Sequence, residues 1–303
     1  MLQHTLSTAY TFEGKGLHTG RFSKMTVSPA PENFGIRFRR TDIGEEAWID
    51  ALADRVDSTA RSTRISNGEF SVNTVEHILS ALTGMGIDNA RIDIDNVEVP
   101  ILDGSARLYA EAFAADGLAV QTAERKELVL KEPVEVRDEA TGSMVRIEPA
   151  ERASYDVTVD FDSRVLGVQT AHWDTDLPYA TQVGICRTFV FFHEIEYLFA
   201  NNLIKGGDVD NAIVIVEHPV SEEQLDRMSA SMGLPRLSVV GNGYLDNLRL
   251  HFDNECGRHK LLDLIGDLRL AGGFLRAKVT AYKPGHTINN LAARAVLAQL
   301  REA

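Results

Sequence analysis

Cysteine is scarce: Cys186 and Cys256 are the only two in 303 residues. Neither a disulfide framework nor a four-cysteine metal site can be built from them. Basic residues are in deficit, 31 Lys and Arg against 44 Asp and Glu, for a net charge of −13. That balance argues against non-specific nucleic-acid binding, which needs a basic surface. It leaves room for an anionic substrate met by a few basic residues gathered locally. No apolar run approaches the ~20 residues that span a bilayer. The N-terminal stretch MLQHTLST lacks a basic segment followed by an apolar one. The expectation is a cytoplasmic monomer with no transmembrane segment and no nucleic-acid partner.

What is present is ordinary globular material, 44% hydrophobic and 25% charged, with length enough for two domains. One stretch organises the rest, Gly257-Arg258-His259-Lys260-Leu261-Leu262-Asp263-Leu264-Ile265-Gly266-Asp267. Residues four apart share a helical face, so His259, Asp263 and Asp267 form one polar stripe. Leu261, Leu264, Ile265 and Leu268 fall on the opposite side, and Gly266 leaves open space beside the stripe. A stripe of this kind usually faces water. Imidazole and carboxylate are also both ordinary zinc ligands, and at this spacing both can reach one cation.

Strands are predicted at 10–13, 23–28 and 35–39 from alternation and turn residues. Between the first two lies GKGLHTG, residues 14–20, which reads as a hairpin turn since it lacks P-loop spacing. A helix follows from about residue 74. Asn73 suits its N-cap, and Glu76 fits as the reciprocal partner of a capping box, a purely structural account that leaves His77 unexplained. Gly84 and Gly86 end that helix. A strand at 89–95, a turn at 100–105 and a helix at 106–114 complete the pattern.

From about residue 127 the pattern begins again. Strands at 127–136, 143–148 and 155–161 precede the Asp263 helix, glycines 272 and 273, a strand at 275–282, a turn, and a helix at 288–300. Gly104 follows His77 by 27 residues, and His286 follows His259 by 27. The reading is an α+β protein of two similar domains, 1–126 and 127–303, from an internal duplication. Each layers a sheet against helices, with the active site between them. Equivalent helices would then bring His77 towards His259 and Asp263, three protein ligands with a fourth zinc position open, as in catalytic sites. Glu76 beside a ligand could take a proton from water. Cys256, three residues before His259, is a competing ligand, although a small buried cysteine is the commoner case. The second half also carries an insertion near 181–220, rich in phenylalanine. It reads either as core or as a lining for an acyl chain.

The stretches GKGLHTG, VNTVEH, GIDNARIDI, VPILDGSA, CRTFVFFHEIEYL, KGGDVDNAIV, RHKLLDLIGDL and AYKPGHTINN together span residues 14–290. In them the chain resembles the zinc-dependent UDP-3-O-acyl-N-acetylglucosamine deacetylases of lipid A biosynthesis. The resemblance implies zinc, or Fe²⁺ in its place, on His77, His259 and Asp263. It implies Glu76 as general base and His286 as a charged histidine near the scissile amide, oriented by Asp267. Thr188 would polarise the amide carbonyl. Phe189 would contact substrate, Lys260 the nucleotide phosphates, and Asp160 and Phe161 the uracil. The implied reaction releases acetate from UDP-3-O-acyl-N-acetylglucosamine, the committed step of lipid A biosynthesis. Two departures are Glu194, where an aspartate is expected, and Cys256-Gly257, where bulkier apolar residues are common. Two rivals stand beside this reading: a non-haem iron oxygenase with the same two-histidine, one-carboxylate set, and a non-catalytic UDP-sugar or lipid-binding homologue.

Overall fold

Alternating burial marks most strands of the computed structural model, which describes residues 1–195, 211–232, 236–241 and 243–302. In chain order the first part contains β1 (Leu2–Leu6), β2 (Tyr10–Lys15), β3 (Phe22–Pro29), β4 (Ile36–Arg40), β5 (Trp48–Asp50), β6 (Val56–Ser58), β7 (Arg64–Ser66) and β8 (Ser71–Asn73). Then come α1 (Glu76–Gly84), β9 (Ala90–Ile94), α2 (Arg107–Ala115) and β10 (Leu118–Glu124). The second part begins with β11 (Val134–Asp138), β12 (Ser143–Pro149), β13 (Ser154–Asp160), β14 (Val168–Asp174) and α3 (Tyr179–Gln182). It continues through β15 (Phe189–Phe191), β16 (Ile213–Ile215), α4 (Glu222–Met232), β17 (Val239–Val240) and β18 (Tyr244–Leu245). It closes with α5 (Glu255–Arg269), β19 (Ala277–Tyr282) and α6 (His286–Arg301).

The two five-stranded sheets share one topology. The first runs β2-β3-β9-β4-β5 and the second β11-β12-β19-β13-β14. In each, the last strand enters the centre, antiparallel to the second strand and parallel to the third. A helix precedes and another follows that central strand, α1 and α2 in one case, α5 and α6 in the other. The α+β class is as expected. The Phe-rich insertion differs in extent: its sheet, β15-β16-β18-β17, continues to Leu245 rather than stopping near 220. Tyr197, Phe199 and the KGGD turn at 205–208 lie outside the described residues.

One hydrophobic core joins the halves, with Val27, Phe38 and Ile92 from the first sheet and Val145, Val157 and Val279 from the second. The same core holds Ile78, Leu79 and Leu82 of α1 and Leu261, Leu264, Ile265 and Leu268 of α5. The polar stripe is buried with them: His259, Asp263 and Asp267 are 1%, 2% and 0% exposed, so it is not a solvated face. Gly266 has a use other than open space. A Cβ there would overlap the Glu76 carbonyl oxygen and lie 2.8 Å from its carbon, so glycine lets α5 touch the α1 backbone. Gly266→Ala is expected to cost roughly 1–3 kcal/mol as overpacking, outweighing the ~1 kcal/mol gained in helix propensity. A thermal melt unchanged from the parent protein would show that the helices separate freely.

Among the described residues, no helix is long and apolar enough to cross a membrane.

Candidate metal centre and active site

Helix α1 begins at Glu76, not at the position a capping box requires. Asn73 closes strand β8, Val75 occupies the cap, and no side chain caps the helix. Thr74, held at φ +60°, turns the chain sharply into the helix. A β-branched residue in that region is strained, and its hydroxyl donates to the buried Glu98 carboxylate at 3.0 Å. Glu76 is therefore free of capping, and its Oε2 accepts instead from the Thr63 N–H at 3.1 Å.

One residue further, His77 meets α5. Its Nε2 lies 3.6 Å from Asp263 Oδ1, and His259 Nε2 lies 3.4 Å from the same oxygen. The two imidazole rings stand edge to face, 5.1 Å between centroids. The donor atoms all lie within 4.8 Å of one another. Tetrahedral zinc with arms of about 2.0–2.2 Å has ligand–ligand edges of roughly 3.3–3.6 Å. Asp263 Oδ1 is buried without a hydrogen-bond partner, an arrangement that is costly unless a cation satisfies it. His259 Nδ1 donates to the Cys186 carbonyl at 3.0 Å, which leaves Nε2 as the free lone pair. Burial pushes the His259 imidazole down to about 3, so it is neutral, as a ligand must be. Burial opposes ionisation of Asp263, but the Lys260 ammonium beside it holds the carboxyl well below its ordinary range. These residues fit a divalent metal.

Cys256 is not part of this cluster. It is buried against Leu166, Ile213 and Ile215, and behaves as a small apolar residue.

Across from the cluster, His286 opens α6. Its Nδ1 donates to Asp267 Oδ2 at 3.0 Å, with Thr63 Oγ1 3.3 Å away. Nε2 faces Glu76 Oε1 at 3.9 Å. Burial alone would lower the His286 pKa, yet Asp267 and Glu76 lift it to about 9. Burial raises Glu76 to about 7, against the pull of His286 and His77. Asp267 also accepts from Thr63 Oγ1 at 2.6 Å and Asn289 Nδ2 at 2.9 Å. Thr63 thus touches base, carboxylate and imidazole at once, and nothing in its sequence setting pointed to it. Asn289, one helical turn after His286, was findable from that spacing.

Of the remaining sequence-predicted residues, Lys260 and Phe189 lie beside the cluster. Lys260 Nζ sits 2.9 Å from Asp263 Oδ2 and 5.5 Å from the centre of the Phe189 ring, so it is engaged by a cluster carboxylate. Phe189, next to Thr188, lies edge-on to His259 at 6.4 Å and to Phe161 at 5.4 Å. Phe161 is 41% exposed. The Asp162 N–H and the Tyr282 hydroxyl hold Asp160 below its usual value, and Lys283 Nζ is 3.4 Å away. The 16–20 segment is a hairpin turn, closed by Gly20 N–H to Gly16 O at 2.9 Å. It brings His18 close enough that His286 and His77 add to the effect of burial in lowering its pKa.

Fold and site define a class: an α+β protein with two like sheets, whose central helices meet at a buried two-histidine, one-aspartate cluster beside a carboxylate–imidazole pair. A family model for UDP-3-O-acyl N-acetylglycosamine deacetylase (LpxC) matches residues 3–231 and 236–298, and the chain belongs to that family. The bifunctional enzyme LpxC/FabZ of Porphyromonas gingivalis is 42% identical over 300 residues, 99% of this chain and 65% of that protein. Its counterpart in Bacteroides thetaiotaomicron is 42% identical over 299 residues, with the same coverage. The chain thus spans about two thirds of the length of these relatives. The UDP-3-O-acyl-N-acetylglucosamine deacetylase of Trichormus variabilis is 37% identical over 302 residues, 98% of this chain and 99% of that protein.

Proposed function

We propose that the chain hydrolyses the N-acetyl group of UDP-3-O-acyl-N-acetylglucosamine, releasing acetate and the free amine, in lipid A biosynthesis. The observation that carries this is the unpartnered Asp263 Oδ1 facing His77 and His259. Family membership supplies the substrate class. The site is read as lying between units 1–126 and 127–303, supported by the shared strand order and the contact of α1 with α5.

His77, His259 and Asp263 would hold zinc, or Fe²⁺ in its place. When bound, the metal supplies Lewis acidity and makes water nucleophilic near neutral pH. Glu76, with a proton affinity near neutrality, accepts a proton from the attacking water. His286 is held as the imidazolium, with Asp267 anchoring Nδ1, and presents its charge to the developing oxyanion. Such preorganised charge is usually the largest single contribution to catalysis. As the C–N bond breaks, His286 or the now protonated Glu76 gives its proton to the leaving amine. Thr188 would add a hydroxyl donor. Lys260 and Phe189 border the cluster, and the exposed face of Phe161 offers a surface for the uracil, with Asp160 beside it. The described part of the Phe-rich insertion is read as bordering the acyl chain. An oxygenase with the same ligands has no need of a base and a charged acid poised this way, and a pure binding module needs neither.

Metal analysis of the purified protein together with acetate release from the acylated and deacylated UDP-sugar tests the reading. Zinc or iron near one per chain, with turnover faster on the acylated substrate, is expected. Oxygen uptake with a keto acid, or binding without turnover, would favour a rival. His259→Ala and Asp263→Ala should lose the metal together with activity, and full occupancy in both would remove the ligand assignment.

A further inference from the structure

We infer that the buried Arg187–Glu255 pair is a positioning device for His259, acting through the carbonyl of Cys186. The side chains are 9% and 0% exposed. Glu255 Oε1 accepts from Arg187 Nε at 2.9 Å and from the Arg187 backbone N–H at 3.1 Å. Its Oε2 accepts from Arg187 Nη2 at 3.1 Å and from the His251 N–H at 2.6 Å. Arg187 Nη2 also donates to the Arg249 carbonyl at 2.6 Å.

Glu255 opens α5, one helical turn before His259. Arg187 directly follows Cys186, whose carbonyl receives the His259 Nδ1 proton. Two ties therefore join the same two segments one turn apart, 255 to 187 and 259 to 186. With the charged tie removed, Cys186 N–H to Val183 O and Thr188 N–H to Gly104 O still anchor the segment on either side. The 186–187 peptide between them, which carries the Cys186 carbonyl, loses the carboxylate that its own N–H donates to. The carbonyl that fixes the tautomer and plane of His259 is then less firmly held. Arg187 and Glu255 touch none of the cluster donors. A buried ion pair could serve as structural glue alone, although such pairs add little net stability over an apolar replacement. The placement of this one at both flanks of the His259–Cys186 bond points to orientation of a ligand, and outer contacts of that kind set metal affinity.

The inference rests on the metal reading above, and the test separates the two. Zinc affinity, by competition with a chelator, and the absorption spectrum of the cobalt-substituted protein are measured for the wild-type chain, Glu255→Gln and Arg187→Lys. Glutamine keeps the shape and loses the charge, whereas lysine keeps the charge and loses the fork. Both are expected to bind zinc about 10–100-fold more weakly, with a shifted cobalt spectrum. Phe113→Leu, in the core against Tyr10 and Phe12, controls for lost stability and should bind like wild type. Should Glu255→Gln fail to fold, Arg187→Lys decides. Wild-type affinity and spectrum in the folded variants would overturn the inference, as would an equal loss in Phe113→Leu. A wild-type protein that binds no zinc would instead refute the metal reading itself.

Discussion

Glu76→Gln is expected to keep the metal and to lower kcat by ~10²–10⁴-fold, the usual contribution of a positioned base. The amide has the size of the carboxylate and can still accept the Thr63 N–H that holds Oε2. It cannot accept a proton from water. Glu76 is 2% exposed, and its burial raises its proton affinity to about 7. A surface carboxylate would be a poor base at neutral pH, since proton-transfer efficiency follows the match between pKa and working pH. Metal content measured beside turnover separates the roles. Loss of metal in Glu76→Gln would make Glu76 a ligand or a support for His77. Turnover within a few-fold of the parent would place the base elsewhere.

Much of this site is legible in the sequence because helical spacing is local. His259, Asp263 and Asp267 share a face by periodicity alone, and the structure keeps them on one. The partner helix was reachable only through the repeated order of elements, and the two five-stranded sheets have the same strand order. Where the reading failed, the cause was tertiary. The Asn73–Glu76 capping box is locally plausible, but Asn73 is used by strand β8, where its N–H donates to Val97 O. Gly266 reads as a gap because the α1 backbone that fills it, at Glu76, comes from 190 residues away in the chain. Strands β1 and β10 pair the two ends of the first part, and β14 exposes Val168. Burial in β14 alternates, but Val168 faces out and Gln169 faces in, so the apolar pattern of the sequence is reversed at that end. Thr63 contributes through a backbone N–H and a short hydroxyl, features that no side-chain pattern announces. Glu194, a departure from the family pattern, accepts the Phe191 N–H at 3.2 Å and lies outside the catalytic contacts.

Asp267→Asn is expected to move the alkaline limb of the activity profile downward by ~1–3 pH units, the span attributable to one nearby opposite charge. In the parent protein burial depresses the His286 pKa, while Asp267 and Glu76 more than offset it and bring it to about 9. The working form is the imidazolium, so activity should fall as pH rises through that value. Glu76 must be deprotonated, so activity should rise as pH passes its value of about 7. The two groups are 3.9 Å apart and titrate as a pair, so variants rather than limbs assign the roles. In Asp267→Asn the limbs approach one another, and the fraction of protein with Glu76 ionised and His286 charged shrinks, which lowers the maximum as well as narrowing it. His286→Ala should keep its metal, lose ~10²–10³-fold in kcat as one oxyanion donor is removed, and show no limb near 9. An unchanged alkaline limb in His286→Ala would assign that limb to another group and remove His286 as the acid.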